Sequence, residues 1–378
     1  MNEKYNVLDL FCGTGGISFG LTSADSSFQT VMGIDMNNSA CQTAKANHKY
    51  ANIVCGKIED INPETIKEKI DVIVGGPPCQ GFSSLRPSRG KNLEDPRNSL
   101  YKSFMQYVKV LQPKVFLMEN VVGLVNANGG LLLEDILEGF DQAGYLVDWR
   151  IVNAANYGVP QKRERFILIG IRKDLGFTKV EFPIPTHYFS GKVIGTKLKD
   201  KHIFNTSFGH PAVTVWDAIS DLPSIKSGEE AHYYKSTPLN EYQIERRKYS
   251  GESVKLHQAA NHSEKMLEVI KHAGSNINAL PEGLVSSGYS SCYSRLDKDH
   301  VSTTITVKFT SPASSKCIHP LDDRSITPRE AARLQGFDDH FIFCGSKTDI
   351  ATQIGNAVPP ILGSAFANVF LSILRKDI

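Results

Sequence analysis

Three short segments concentrate the residue types that do bond-making chemistry. Gly75-Gly76-Pro77-Pro78-Cys79-Gln80-Gly81-Phe82-Ser83 follows an apolar run. It sets a thiol on a rigid Pro-Pro turn at the carboxyl end of a strand, where open α/β sheets gather ligands. A thiol with a lowered pKa in that position suits covalent catalysis. The remaining cysteines (Cys12, Cys41, Cys55, Cys292, Cys317 and Cys344) read as core thiols, the commoner fate of a lone cysteine. Phe116-Leu117-Met118-Glu119-Asn120-Val121 ends a second apolar run in a carboxyl that either protonates a substrate or caps a helix. Gln161-Lys162-Arg163-Glu164-Arg165 leads into a third. Alternate strand residues point the same way, so Arg163 and Arg165 are expected on one face. There they meet an anion or a carbonyl, or form a solvated charge run.

A fourth segment reads as a binding turn. Leu8-Asp9-Leu10-Phe11-Cys12-Gly13-Thr14-Gly15-Gly16 passes from strand through glycines to helix, and the next strand ends in Asp35. A carboxylate about 20 residues beyond a glycine turn can accept both hydroxyls of a ribose. The spacing Gly13-x-Gly15-Gly16 is not the dinucleotide pattern, and there is no lysine-containing phosphate loop. An adenosyl ligand without a pyrophosphate fits better; a ligand-free strand–helix turn is the alternative.

These segments need a frame to hold them. Strands are expected at Tyr5–Leu10, Thr30–Ile34, Asp71–Val74, Val115–Met118 and Phe166–Ile171. Helices are expected from about Ile17, over Ser39–Asn47, Ser99–Leu111 and Leu131–Ala143. Strand and helix in alternation imply a doubly wound, parallel α/β sheet of the Rossmann-like kind. After about Phe182 the pattern breaks, with prolines at 183, 185, 211, 223, 238 and 281, and nine of the eleven histidines fall between His187 and His319. These histidines are too dispersed for a metal site, and none is expected. Thr327–Gln335 returns to helix, with Thr327 as N-cap, Pro328 at the first position and Glu330 at the third. Ile361–Leu374 reads as an apolar helix. The expected organisation is a catalytic and cofactor-binding domain over 1–185, a smaller irregular domain inserted over 186–345, and a C-terminal segment, 346–378, completing the first.

Composition fits an ordinary globular chain. It has 378 residues, 41% hydrophobic and 22% charged, enough to bury a core and too apolar for disorder. No apolar run has membrane-spanning length. The polar N-terminus leads straight into strand sequence, so no secretory signal is expected. Seven cysteines without metal spacing suggest reduced thiols and a cytoplasmic location. A net charge of +2 neither demands nor excludes nucleic acid.

Taken together, the motifs resemble the DNA cytosine-5 methyltransferase family, prokaryotic or phage in type. Phe11-x-Gly13-x-Gly15-Gly16, PPCQGFS, Glu119-Asn120-Val121 and Gln161-x-Arg163-x-Arg165 stand in the family's order. Asp322-Asp323-Arg324-Ser325-Ile326-Thr327-Pro328-Arg329-Glu330 through Phe337 and Gln353-Ile354-Gly355-Asn356-Ala357-Val358-Pro359 resemble its last two motifs. The resemblance implies methyl transfer from S-adenosylmethionine to carbon 5 of a cytosine flipped out of duplex DNA. It makes Cys79 the nucleophile at carbon 6, Glu119 the group on ring N3 and the exocyclic amine, Arg165 the partner of O2, and Arg163 a support for Cys79. For the cofactor it implies Phe11, Gly13, Thr14, Gly16, Asp35, Met36, Ile58, Pro78, Leu100, Asn356, Ala357 and Val358. Many members carry an aspartate on the adenine amine where this chain has Lys57, leaving Glu59 or Asp60 as substitutes.

Segment 82–98 resembles the family's mobile catalytic loop, with Ser83, Arg86 and Arg97 expected on DNA. In the variable region, Arg295 is expected to read a guanine edge and Thr304 to meet phosphate or base. The expected partners are double-stranded DNA and a separately acting restriction endonuclease, with the chain itself a monomer. An RNA-acting relative that methylates tRNA cytosine and a catalytically silent DNA-binding partner are the competing readings.

Overall fold

A computed structural model describes residues 3–78, 100–189 and 209–376. Cys79, Ser83, Arg86 and Arg97 lie outside the described residues. The described chain divides into two units, one from Met1–Tyr157, Glu164–Gly209 and Leu362–Ile378, the other from Gly158–Arg163 and His210–Ile361.

The first unit is built on a seven-stranded sheet: β1 (Tyr5–Leu10), β2 (Phe28–Asp35), β3 (Asn52–Cys55), β4 (Val72–Gly75), β5 (Val115–Asn120), β6 (Tyr145–Asn153) and β7 (Glu164–Arg172). Their order across the sheet is β3-β2-β1-β4-β5-β7-β6. Neighbours from β3 to β5 pair in parallel; β7 is antiparallel to both β5 and β6. The sheet is therefore mixed, where a parallel one was expected. The sequence reading also lacks β3 and β6. In β6 the charged alternation that hides a strand comes from half-buried Asp148 and Arg150, which pair with each other at 2.8 Å.

The helices are α1 (Gly16–Ala24), α2 (Asn38–Asn47), α3 (Leu100–Leu111) and α4 (Leu131–Gln142). The short apolar strands form because both sheet faces are covered, so Leu8, Leu10, Ile73, Phe116, Met118 and Leu168 sit in one core with Phe104, Tyr107, Ile136 and Phe140 from α3 and α4. That burial fixes where each strand ends, and hence where Asp35, Gly76 and Glu119 stand.

The second unit contains α5 (Val215–Ile219), α6 (Glu241–Arg247), α7 (Glu264–Lys271), α8 (Pro328–Leu334) and α9 (Lys347–Asn356). Thr327 and Glu330 cap α8 reciprocally, and Ser346 and Asp349 cap α9 in the same way. Few regular strands occur here, and the unit is held by buried charge instead. Arg324 forks onto Glu330, and Arg333 bridges Asp221 and Asp339.

Two boundaries differ from the expected domains. Residues 158–163 join the second unit because Gln161 pairs with Ser302 and its amide donates to the Leu334 carbonyl and the Gln335 side chain. α9 joins it because the Gln335 amide donates to the carbonyls of Ile354 and Ala357. The chain re-enters the first unit only at Leu362. There the expected single helix is two, α10 (Pro360–Ala365) and α11 (Ala367–Leu374), broken at Phe366. Gly363 lies on the Ile17 carbonyl, where a Cβ would come within 2.7 Å, and Ser364 donates to the Gly20 carbonyl. Among the described residues no single helix is long and apolar enough to cross a membrane.

Candidate active site

Two strand ends make the centre. β5 delivers Glu119 and Asn120 at its carboxyl end, both buried. β7 runs the other way, with Ile167 opposite Glu119 and Phe166 opposite Asn120. The antiparallel register therefore brings the start of β7, Arg165, diagonally beside Glu119 on the same face. Arg165 Nε lies 2.7 Å from Glu119 Oε1, and Arg165 Nη1 donates to the Glu164 carbonyl at 2.7 Å. Charge-assisted pairing of this kind fixes both side chains in one orientation.

The turn that leads to Cys79 interlocks with this pair. A Cβ on Gly76 would fall 2.8 Å from Glu119 Oε2, so only glycine lets the carboxylate lie there. The Asn120 amide donates to the Pro77 carbonyl at 2.9 Å, and its own oxygen accepts the Val121 N–H at 2.9 Å. Asn120 is thus the clamp between strand β5 and the Pro-Pro turn. The sequence reading passed over it; its place immediately after Glu119, at a buried strand end, was the available signal.

Arg163 and Arg165 do not act as a pair. β7 begins at Glu164, so Arg163 precedes the strand and the expected shared face does not exist. Arg163 is buried, and donates to the carbonyls of Ile305 at 3.3 Å and Gly355 at 3.1 Å, all within the second unit.

The glycine turn follows β1 directly. Phe11, Gly13 and Gly15 all take positive φ, at 55°, 53° and 77°. Phe11 holds this conformation at the cost of strain that glycine avoids. Asp35, at the end of β2, braces the turn: its Oδ2 accepts the Gly13 N–H and its Oδ1 the Asn37 N–H, each at 2.8 Å. Burial pushes the Asp35 carboxyl above its ordinary value, opposed by these bonds. A carboxylate oxygen has two lone pairs, so each can still accept a hydroxyl.

The residues present fit an adenosyl ligand. The Thr14 hydroxyl is buried and has no hydrogen-bond partner among the described residues. Nothing lies within 4 Å of the position a Gly13 Cβ would take. Met36 is 69% exposed beside Asp35, a large apolar surface awaiting cover. Ile58 is buried at the start of a short 3-10 helix, which the Tyr107 hydroxyl holds by donating to the Ile61 carbonyl at 2.8 Å. Lys57, Glu59 and Asp60 beside it are exposed. Leu100 is buried at the start of α3, and Pro78 is half-buried. Asn356, Ala357 and Val358 stand in the second unit at the end of α9.

Arg295 is engaged within the second unit. All five of its N–H donors are spent inside the second unit, on the carbonyls of Ala273, His319, Asp322 and Ile270 and on the Asp323 carboxylate. Thr304 is half-buried and donates its hydroxyl to the Lys162 carbonyl at 2.8 Å, which commits its proton but not its lone pairs. Among the described residues no group of three or more metal-ligating side chains occurs.

A Rossmann-like sheet, a braced glycine turn at its first strand and a carboxylate–guanidinium pair at its centre define a methyltransferase-type α/β protein. The sequence profile of the family described as C-5 cytosine-specific DNA methylase matches residues 5–371. Type II methyltransferase M1.HphI of Haemophilus parahaemolyticus is 34% identical, over 98% of this chain and 87% of that protein. Type II methyltransferase M.NgoFVII of Neisseria gonorrhoeae is 35% identical, over 95% of this chain and 84% of that one. Among solved structures, a DNA modification methyltransferase encoded within an E. coli prophage superposes with a TM-score of 0.75 at 28% identity, covering 98% of this chain and 99% of that one. Spodoptera frugiperda DNMT2 shares the fold, with a TM-score of 0.61 at 17% identity over 97% and 100% of the two chains. The chain belongs to the C-5 cytosine-specific DNA methylase family. It is a DNA cytosine-5 methyltransferase with S-adenosylmethionine as methyl donor.

Proposed function

We propose that this chain methylates one cytosine within a specific duplex sequence through a covalent adduct of Cys79. S-adenosylmethionine, when bound, supplies an electrophilic methyl on a sulfonium. Carbon 5 of cytosine is a weak nucleophile toward it. The Cys79 thiolate adds to carbon 6, forming a carbon–sulfur bond and turning carbon 5 into an enamine carbon. Once carbon 5 carries the methyl, a base removes its proton, the ring double bond re-forms and the thiolate leaves. Glu119 holds ring N3 and the exocyclic amine while Arg165 takes O2. Phe11, Gly13, Thr14 and Gly16 form the cofactor turn, Asp35 takes the ribose, and Met36 and Ile58 cover the adenine. Such chemistry cannot reach a stacked base, so the cytosine is flipped out. Ser83, Arg86 and Arg97 meet the DNA backbone.

The observation that carries this reading is the Glu119–Arg165 pair, at 2.7 Å, clamped to the turn before Cys79 by Asn120. A carboxylate and a guanidinium fixed side by side match the donor and acceptor edge of cytosine. The type II relatives support a restriction–modification setting, with a separate endonuclease cutting the unmethylated site. The protein then acts as a cytoplasmic monomer.

Duplex DNA bearing 5-fluorocytosine tests the mechanism, because fluorine cannot leave as the proton does. Incubation with S-adenosylmethionine is expected to leave a denaturation-resistant adduct that Cys79→Ser lacks, and its position gives the target sequence. An adduct on tRNA but not on DNA would transfer the chemistry to RNA. Turnover by Cys79→Ser would exclude covalent catalysis.

A further inference from the structure

Beneath the glycine turn, two buried polar side chains converge on one carbonyl, and a third, a buried carboxyl, is bonded to one of them. Asp9 lies in β1, Ser18 in α1, and His48 is the C-cap of α2. The methyl-transfer mechanism uses none of them. Ser18 Oγ is 2.5 Å from Asp9 Oδ2 and 3.1 Å from the Gly15 carbonyl oxygen. His48 Nε2 is 3.3 Å from the same carbonyl and 3.4 Å from Ser18 Oγ. Gly15 itself sits at φ 77°, and a Cβ there would fall 2.5 Å from His48 Nε2. The turn is therefore seated directly on the imidazole.

We propose that Ser18 and His48 are positioning residues of the cofactor turn, and that the Ser18 hydroxyl conveys the charge state of Asp9 to the Gly15 carbonyl. This rests on the reading of Phe11–Gly16 as the cofactor turn. A hydroxyl carries a single proton, so Ser18 serves one of its two acceptors at a time. When Asp9 is ionised, the Ser18 proton stays on the short bond to the carboxylate, and His48 alone holds the Gly15 carbonyl. When Asp9 is protonated, it donates to Ser18 Oγ, and the Ser18 proton turns to the Gly15 carbonyl. The turn then has two donors and is the more rigid, which lowers the cost of ordering it around a ligand.

The surroundings put this exchange in the neutral range. Burial pushes the Asp9 carboxyl up to about 7, with the Ser18 bond opposing and Asp35 reinforcing the rise. Asp35 is the titratable group that acts on Asp9 across the turn, and the neighbouring Cys12 thiol is itself raised, by burial first and then by Asp9 and Asp35. His48 faces the Gly15 carbonyl, Ser18 and the Phe19 ring, and burial lowers its pKa, which favours the neutral ring with one N–H to donate.

The test is the affinity of the full chain for S-adenosylhomocysteine, measured by calorimetry at pH 6, 7 and 8. This ligand lacks the sulfonium, so direct charge attraction to Asp9 is minimised. The wild type is expected to bind several-fold more weakly at pH 8 than at pH 6. Asp9→Asn keeps the shape with a permanent donor toward Ser18, and is expected to hold the pH 6 affinity across the range. Ser18→Ala is expected to bind weakly with no inflection. His48→Gln, which retains an N–H, is expected to bind better than His48→Ala. Thermal melts identify any variant that has simply unfolded. A wild-type pH profile in folded Asp9→Asn or Ser18→Ala would overturn the proposal. Asp35→Ala separates the two readings. If it leaves affinity intact, the cofactor turn itself is misassigned. If it weakens binding while Ser18→Ala keeps the wild-type profile, this inference alone fails.

Discussion

Arg165 reaches Glu119 because β7 is the one strand of the described sheet that runs against its neighbours. Opposite Glu119 stands Ile167, and two residues back along β7, on the same face, Arg165 places its Nε 2.7 Å from Glu119 Oε1. A parallel β7 would begin at the other edge of the sheet. The mixed topology is thus what assembles the acid and the cation at one point.

The first prediction concerns that pair. Glu119→Gln keeps the shape but loses the charge that orients Arg165, and removes a group able to hold or give a proton. Positioned proton transfer is worth about 100- to 10,000-fold, so methylation is expected to fall by at least about 100-fold. Arg165→Lys keeps a charge but loses the planar fork, and is expected to cost about tenfold or more. The check is the single-turnover rate of adduct formation on 5-fluorocytosine DNA, beside cofactor affinity, which neither change is expected to move.

Gly76 and Asn120 give a second prediction, because they join the turn before Cys79 to Glu119. A Cβ at Gly76 meets Glu119 Oε2 at 2.8 Å, and the carboxylate must give way. A displacement of roughly 1 Å in a catalytic group can cost about 100-fold. Gly76→Ala is therefore expected to slow adduct formation by about that factor while S-adenosylmethionine still binds. Asn120→Ala releases the Pro77 carbonyl and leaves a buried acceptor unmet, at a cost of ~1–3 kcal/mol. Its effect is expected in kcat rather than in the KM for DNA.

Much of this site was legible in the sequence, and the reason is physical. Val115–Met118 is apolar throughout, and Tyr5–Leu10 is apolar but for Asn6 and Asp9, because both faces of the sheet are covered. Such runs end abruptly where the chain leaves the sheet, so Asp35, Gly76 and Glu119 announced themselves as strand-end residues. Thr327 and Glu330 spelled out a capping box that the structure contains. What could not be read was side-chain allegiance. Arg163 and Arg165 look like equals two residues apart, yet a strand that starts at Glu164 gives one to Glu119 and the other to the Ile305 and Gly355 carbonyls. Arg295 looked free because its acceptors are mostly backbone carbonyls, which no residue type betrays. β6 was missed because its charges pair with each other along the strand.

Asp35 carries the third prediction. Removing its carboxylate deletes the brace on the Gly13 N–H and, with it, the proposed acceptor for ribose. Loss of hydrogen bonds to a charged group costs ~1.5–3 kcal/mol, so Asp35→Ala is expected to weaken S-adenosylmethionine binding by roughly tenfold or more. DNA binding measured without cofactor is expected to change little. Equal loss of both would point to an unfolded turn rather than a missing ribose contact, and circular dichroism would show it.

Arg295 carries a prediction about stability. Its guanidinium ties α7, through the Ile270 carbonyl, to the segment around His319 and Asp322. Arg295→Ala leaves several acceptors unmet at once. It is expected to cost about 2–4 kcal/mol of stability. The melting temperature should fall, while the methylated sequence, mapped on a random-sequence duplex library, should not change. A relaxed base preference in folded Arg295→Ala would restore its place on the DNA.

The second unit also predicts its own behaviour in acid. Asp339 is buried, which alone would raise its carboxyl, but Arg329 and Arg333 outweigh burial and hold it at about 2, from an ordinary 3.8. Glu330 is likewise held well below its ordinary value: Arg324 and His319 overcome the opposing effect of burial. A carboxyl with a depressed folded-state pKa contributes stability that is fully present above its unfolded value and is lost as pH falls through the folded one. For Asp339 the window runs from about pH 4 down to about pH 2, with roughly 2 kcal/mol at stake. Denaturant unfolding of the wild type at pH 7, 4 and 2.5 is expected to show that loss. Asp339→Asn is expected to be much less stable at pH 7, because Arg333 would keep its contact with Asp221 while losing its other partner. It should also have a shallower decline in acid than the wild type. An Asp339→Asn chain with the full wild-type decline would show that the acid sensitivity arises elsewhere.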